Sequence, residues 1–486
     1  MLTDSLIWSL ALPLLGALLS VVWPGWAVRI GVFSVLASLG AAACLLWQVA
    51  DEGPVHYAIG GWSPGLGIAL RADGLSALLL LMTGLVALAV SVYATGYFGQ
   101  TAQRRHYWPL WLLLLTALNA LFLAADLFNL YVTLELLGLA AVALTALGGE
   151  RAAVQAAIRY LLLGLMGSLT FLAGVVLLYT AYGSLDMAIL AQRLTAGTTS
   201  WLAASLITAG LLLKTALFPL HFWLPPAHAS APAPVSAALS ALVVKAAFYL
   251  ILRLWLDLFA PLATPGLGHL LGLLGAAAVL WGSWCALRAD RLKLLAAYST
   301  VAQIGYLFLF LPLILQVTDD VTRQAAIGGL VLMALSHGFA KSALFLAAGV
   351  IQQRAGHDRI GELDGTAQSL PATTFALALA GVALIGLPPS GTFLAKWQLI
   401  AGNLQAGFWP WVIVTLAGSL LAAGYVFRLL GHAFGQARTS SRPLASAREE
   451  IPALALALLA TLVLGLASAP IWPLLHQTLP PGGLTP

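Results

Sequence analysis

Leu213-Lys214-Thr215-Ala216-Leu217-Phe218-Pro219-Leu220-His221-Phe222-Trp223 and, much further along, Ile385-Gly386-Leu387-Pro388-Pro389-Ser390-Gly391-Thr392-Phe393-Leu394-Ala395-Lys396 decide how this chain is built. Each is an apolar run of helical character interrupted from inside by proline. Proline removes an i→i−4 hydrogen bond and its ring clashes with the preceding turn, so both runs are expected to break, at Pro219 and at Pro388-Pro389. Each also carries a lysine where an uninterrupted apolar helix should have none. Broken helices at corresponding places in two halves of a membrane protein are a pointer to an ion site.

The surroundings require a membrane. Of the 486 residues 61 % are hydrophobic and only 8 % charged, whereas a water-facing surface needs about a quarter of its residues charged. In lipid the backbone must satisfy its own hydrogen bonds, so spanning segments are helices or closed barrels. The apolar runs here are continuous rather than alternating, which selects helices. Candidate spans fall at 5–23, 27–49, 74–98, 107–125, 126–147, 155–181, 201–224, 233–257, 267–287, 291–315, 323–352, 371–404, 409–435 and 451–476. The sequence therefore predicts an all-α integral membrane protein of about fourteen transmembrane helices.

The two broken spans are the seventh and the twelfth. That spacing is expected if spans 4–8 and 9–13 are related five-helix units, and an odd repeat must be inverted across the membrane. The expected organisation is spans 1–3 in residues 1–106, the two repeats in 107–260 and 261–440, and the last span in 441–486. Ser63-Pro64-Gly65 should turn a short hairpin before the third span, and residues 184–195 suit a short interfacial helix. The N-terminus has no basic n-region or small-residue cleavage site and reads as a first span. Cys44 and Cys285 lie apart in apolar segments, so neither a metal site nor a redox pair is expected. The net charge of +5 is scattered and offers no nucleic-acid patch.

Basic residues set an orientation. Loops after odd-numbered spans carry Arg29, Arg104, Arg105, Arg151, Arg159, Arg288, Arg291, Lys293, Arg354, Arg359, Arg438, Arg442 and Arg448, against Arg71, Arg193 and Arg323 after even-numbered ones. The positive-inside rule then places the odd loops in the cytoplasm and both termini outside. Trp62, Trp108, Trp201 and Trp472 read as interface anchors.

The lysines are distributed the opposite way. Only Lys293 is expected in a loop; Lys214, Lys245, Lys341 and Lys396 fall inside spans. Each charge at the bilayer centre costs about 2.5–3.5 kcal/mol on insertion scales, and four such costs call for a compensating role. A desolvated ammonium can give up its proton, whereas a guanidinium cannot, so lysine inside and arginine outside suits a proton path. Glu135 is the one acid well inside a span, and a Glu–Lys pair there can act as an electrostatic switch or as a static tie between helices. His337 and Lys341, four residues apart, share a helix face and suit a relay, although a lone histidine in a span can equally serve a helix–helix hydrogen bond. For His221, His228 and Asp126 a capping or interfacial role competes evenly with a place on the path.

Lys214-Thr-Ala-Leu-Phe-Pro-Leu-His-Phe-Trp-Leu-Pro-Pro-Ala-His-Ala-Ser-Ala-Pro-Ala-Pro-Val-Ser-Ala, Arg291-Leu-Lys-Leu-Leu-Ala-Ala-Tyr-Ser-Thr-Val-Ala-Gln-Ile-Gly-Tyr, Ser336-His-Gly-Phe-Ala-Lys and Gly386-Leu-Pro-Pro-Ser-Gly-Thr-Phe-Leu-Ala-Lys, in this order, resemble the motifs of the antiporter-like subunits shared by respiratory complex I, Mrp cation/proton antiporters and membrane-bound hydrogenases. The resemblance runs from about Arg71 to the thirteenth span and implies fourteen spans with inverted five-helix repeats. It implies that Glu135 and Lys214 are the paired residues of the fifth and seventh spans, Lys245 the connecting lysine, Lys396 the terminal lysine, and His337 and Lys341 the polar positions of the eleventh span. The chain departs from the family at Gln303, where many relatives have histidine, and at Pro226, where they have aspartate. Lys396, Lys341 and the Gly60-Gly61-Trp62-Ser63-Pro64 segment look most like the D-type component of Mrp-type Na+/H+ antiporters, with complex I and hydrogenase membrane-arm subunits as alternatives. A non-transporting scaffold and a module for inorganic-carbon uptake are further ones. The resemblance implies an ion transporter subunit rather than an enzyme, without a redox cofactor, working with other membrane subunits in the cell membrane. The ions it implies are H+ and, as a second candidate, Na+.

Overall fold

The computed structural model describes residues 4–62, 67–99, 101–436 and 447–476. Among them twelve helices are long and apolar enough to cross a membrane: Ser5–Val22, Pro24–Glu52, Gly74–Tyr97, Ala102–Leu123, Leu127–Ala146, Arg151–Tyr182, Ala233–Asp257, Pro265–Arg288, Leu292–Gln316, Asp320–Ala355, Trp409–Ala433 and Glu449–Leu466. The remaining two expected spans are the broken ones. The seventh is a helix Thr198–Thr215 and a short helix Leu224–Ser230, and the twelfth is a pair, Pro371–Ile385 and Gly391–Gln405. At both breaks the first half ends on a left-handed residue, Ala216 (φ 56°) or Gly386 (φ 82°), and a cis proline follows three positions later, Pro219 or Pro389.

Polar side chains fix where helices start. Asp73 and Ser76 form a capping box ahead of Gly74–Tyr97, and Asp126, Asp186, Thr264, Asp319 and Ser390 cap five further helices. Asp126 is thus a cap, its Oδ1 accepting from the Asn129 N–H at 2.7 Å. The expected hairpin pairs Val55–Ala58 with Ala69–Ala72 in antiparallel register, while its turn at Ser63-Pro64-Gly65 lies outside the described residues. The interfacial helix is Met187–Arg193.

Several expectations change. Helix four begins at Thr101 and helix eleven runs Asp320–Ala355, because their polar ends continue as helix beyond the apolar stretch that marked them. The last span stops at Leu466, short of 476: Pro470 cannot continue it, and Ile471–His476 is a separate short helix. Trp108 is fully buried, not an interface anchor; its ring lies on Gly31, where an added Cβ would come within 2.1 Å of it. Trp472 likewise packs over Gly328, whereas Trp62 is exposed as expected. Lys293 is not in a loop but in the first turn of the helix Leu292–Phe308, buried, with its Nζ donating to the Ala231 carbonyl. Arginine is also not confined to loops: Arg253 and Arg428 stand on transmembrane helices. Arg438 and Arg442, and residue 486, lie outside the described residues, as does the side chain of Arg448.

The helices pack around an unusually buried centre. The best apolar stretches of Ala233–Asp257 and Asp320–Ala355 are buried along their whole length, whereas Arg151–Tyr182 and the first two helices turn much apolar surface outward. A helix apolar on all sides and buried on all sides is where an ionisable residue demands an explanation.

Candidate functional site

The fifth and seventh spans bring Glu135 and Lys214 together. Lys214 lies in the last turn of Thr198–Thr215, just before the break, and its Nζ donates to Glu135 Oε1 at 3.1 Å. The hydroxyl of Ser168, on the neighbouring helix Arg151–Tyr182, donates to the same oxygen. The pair lines a narrow crevice of about 30 Å³ between apolar walls that include Leu139, Tyr160, Leu165 and Trp223. Glu135 keeps about 20 % of its side chain exposed, so the pair sits at the side of the protein rather than at its centre.

Lys245, Lys341 and Lys396, the other three lysines expected inside spans, have no carboxylate partner among the described residues. Lys245 is buried, and its Nζ donates to the Ser240 and Ala241 carbonyls at 3.0 and 2.8 Å. Both belong to the π-turn Leu239–Val243, whose i→i+5 pattern frees carbonyls that a regular α-helix would use. The Ser240 hydroxyl lies 2.7 Å from that of Thr300 and so ties this turn to the tenth span. Lys341, fully buried, donates to the Ser299 hydroxyl and the Ala296 carbonyl, with the Phe345 ring 5.7 Å away. Lys396 donates to the Ile385 carbonyl at 3.0 Å and to the Ser419 hydroxyl at 2.9 Å, and its Nζ lies 4.1 Å from the centre of the Tyr306 ring. Ile385 is the last residue of the first half of the broken twelfth span. A carbonyl at that helix end is unclaimed by the helix and carries the negative end of its dipole, which suits an ammonium.

His337 is one turn from Lys341 and within electrostatic reach of both Lys341 and Lys245. It is buried, and neither ring nitrogen has a partner among the described residues. His228 is also buried, with both nitrogens unpartnered among the described residues and its ring stacked on Phe345, in reach of Lys341 and Lys293. It does not merely flank a helix end at the interface: Pro225 and Pro226 occupy the first turn of Leu224–Ser230, which carries His228 inward. His221 is half-buried at the break, stacked on Phe218, and takes no bond from any of the lysines. Gln303 donates from Nε2 to the Leu384 carbonyl at 2.9 Å and leaves its buried Oε1 unpartnered.

The residues that sequence reasoning missed are mostly neutral. Ala296, Ser299 and Tyr306 stand at i, i+3 and i+10 of one helix and share a face with Gln303 at i+7, the one member of the group that the sequence singles out. That face meets Lys341 at one end and Lys396 at the other. The stripe is visible in the spacing of polar residues in this segment, although serine and tyrosine in a membrane helix carry little signal alone. A second missed group is ionic. Arg253 makes a two-pronged contact to the fully buried Asp73, both distances 2.7 Å, and Arg71 and Asp257 complete a four-residue cluster. It locks the start of the third span to the end of the eighth. Among the described residues no group of three or more His, Cys, Asp or Glu could hold a metal ion.

Known proteins carry the same architecture. The model of the family described as NADH:quinone oxidoreductase/Mrp antiporter, TM, matches residues 124–422, which contain every in-span lysine and Glu135. The N component of the NADH-quinone oxidoreductase of Desulforudis audaxviator is 39 % identical over 423 residues, 86 % of this chain and 82 % of that one. The D component of the Na(+)/H(+) antiporter of Bacillus subtilis is 28 % identical over 474 residues, 96 % of this chain and 94 % of that one. A chain of the Mrp complex from Dietzia sp. DQ12-45-1b superimposes with a TM-score of 0.88 at 26 % identity, covering 98 % of this chain and 97 % of that one. The chain is a multi-pass integral membrane protein and belongs to the NADH:quinone oxidoreductase/Mrp antiporter transmembrane family.

Proposed function

We propose that this chain is a proton-translocating subunit of a multi-subunit membrane complex, and that protons move along Glu135, Lys214, Lys245, His337, Lys341 and Lys396. The observation that carries the reading is the difference between the pair and the rest of the row. Glu135 and Lys214 are bonded at 3.1 Å, while Lys245, Lys341 and Lys396 are held by neutral oxygens alone. Lys341 and Lys396, bonded to the Ser299 and Ser419 hydroxyls, donate as ammonium and can accept from those hydroxyls as amine, while Lys245 as an amine can still donate to its two carbonyls. The proton of each can therefore leave without stranding a partner charge, as it could not from a buried salt bridge. The pair supplies the control: when Glu135 and Lys214 separate, the field felt by the rest of the row changes. His337, open at both nitrogens among the described residues, lies within electrostatic reach of both Lys245 and Lys341 and has an imidazole's two-ended capacity to accept and donate. His228 and Gln303 are secondary positions beside the row.

Counting each broken helix as one crossing gives fourteen crossings, which supports the two inverted five-helix repeats and the division at residues 106, 260 and 440. The matching left-handed residues and prolines at the two breaks support the same reading. The arginine asymmetry supports cytoplasmic odd loops and outer termini in the cell membrane. As to branch, the motifs look most like the D component of an Mrp antiporter, whereas 39 % identity to an N-type respiratory relative against 28 % to a D-type antiporter relative favours a respiratory membrane arm. Redox chemistry, if any, belongs to partner subunits. Purifying the complex in mild detergent and identifying the bound chains decides the branch. Proton flux in vesicles holding that complex tests the function: Lys214→Ala should assemble but lose flux, and parental flux from it would refute the path.

A further inference from the structure

At the membrane end where the first span finishes, the fourth starts and the fifth finishes, the protein leaves a groove of about 540 Å³. Its floor and walls are apolar: Val21, Leu110, Leu113 and Ala143 among them. Its mouth is basic. Arg105 and His106 line it, exposed, and neither has an acidic or hydrogen-bonding partner among the described residues. Ser20 lines the groove from the first helix; it is fully buried, and its hydroxyl has no partner among the described residues. Beside the mouth Trp23 and Trp26 are more than half exposed, and Arg29 lies over the Trp26 ring at 4.7 Å. Tryptophan in that setting marks the headgroup level of a bilayer. No acidic residue lines the groove.

An apolar cleft opening at headgroup level under unpaired basic side chains matches one chemistry, an acyl chain below and a negative headgroup above. A protein helix seated here would bury Arg105 and His106 and would have to bring acids to meet them, whereas a phosphodiester brings its charge with it. Basic pockets between transmembrane helices favour anionic lipid for this reason. We infer that this groove is a binding site for an anionic phospholipid, with its phosphate at Arg105 and His106 and an acyl chain along Leu110 and Leu113. The site lies among the first, fourth and fifth spans. It therefore touches the helix that carries Glu135 without containing the ion pair, and it is independent of the proton row.

The test places a photoreactive benzoylphenylalanine at Leu113 in the assembled complex, reconstituted in vesicles of phosphatidylcholine with phosphatidylglycerol, and identifies the cross-linked species by mass. Phosphatidylglycerol should be captured well above its share of the mixture. A charge at the surface contributes enough that Arg105→Gln should lower this enrichment about fivefold. Arg105→Lys should keep most of it, and Arg193→Gln, at the opposite end of the sixth span, should leave it unchanged. Capture of both lipids in proportion to their abundance would overturn the inference. So would capture of a protein chain, whether a partner subunit or a second copy, or enrichment that survives Arg105→Gln with His106→Gln.

Discussion

Ser299 and Tyr306 stand seven residues apart on one face of a single helix and hold different lysines, Ser299 bonding Lys341 and Tyr306 facing Lys396 at 4.1 Å. Seven residues are two turns, about 10.5 Å of rise, and Gln303 lies between them on the same face. One rigid element thus sets the distance between the last two stations of the proposed row. If that face matters, its neutral groups should respond to substitution almost as the lysines do. Tyr306→Leu removes the ring under the Lys396 ammonium, a contact of about 0.5–2 kcal/mol, and should lower proton flux on the order of tenfold. Tyr306→Phe keeps the ring and should stay near parental flux. Flux in vesicles holding the assembled complex separates the two, and equal loss in both would point to general disruption instead.

Glu135→Gln tests the control pair without emptying it. The amide can still bond Lys214 and Ser168, so packing is kept while the charge is lost. A hydrogen bond to a charged group is worth about 1.5–3 kcal/mol, so flux should fall by roughly ten- to a hundredfold with the complex intact. Parental flux would reduce the pair to a tie between helices.

The cluster around Asp73 predicts a stability effect and no direct transport effect. Arg253→Ala would leave a fully buried carboxylate with only the partly exposed Arg71 beside it. Breaking a buried pair from one side costs about 3–5 kcal/mol, so the purified protein should melt well below the parent. Arg253→Ala with Asp73→Ala removes both charges and should recover part of the loss. An unchanged melting midpoint for the single variant would show that the cluster does not hold the third and eighth spans together.

Orientation is tested by labelling. With Cys44 and Cys285 replaced, Arg354→Cys and Arg104→Cys should react with an impermeant maleimide only after the membrane is opened. Arg193→Cys, which lies after an even-numbered span, should react in intact cells. Reaction of Arg354→Cys in intact cells would reverse the assignment.

What the sequence makes legible depends on rarity. In a chain with so few charges, Glu135 and the four in-span lysines are conspicuous, and prolines inside apolar runs mark both breaks. The features it hides share one cause: they are residues whose ordinary setting is common. Lys293 and Arg253 sit near span ends, where basic residues usually face water, and only the fold brings the Ala231 carbonyl and Asp73 to them. Trp108 reads as an interface anchor because nothing local announces that Gly31, on another helix, makes room for its ring. Lys396 falls where the sequence puts it, but the carbonyl that meets it belongs to the other half of its own broken span.

The central claim, that protons pass along the whole row, is tested most directly at Lys245. In the proposed row it follows the Glu135–Lys214 pair and precedes Lys341; it is buried, with two backbone carbonyls as its partners and no side chain bonded to it among the described residues. Lys245→Ala should therefore leave assembly intact, as checked by co-purification of the partner subunits. Measured as pH change in vesicles containing the whole complex, its proton flux should drop to that of vesicles without protein. Flux at the parental rate from a fully assembled Lys245→Ala complex would contradict the account.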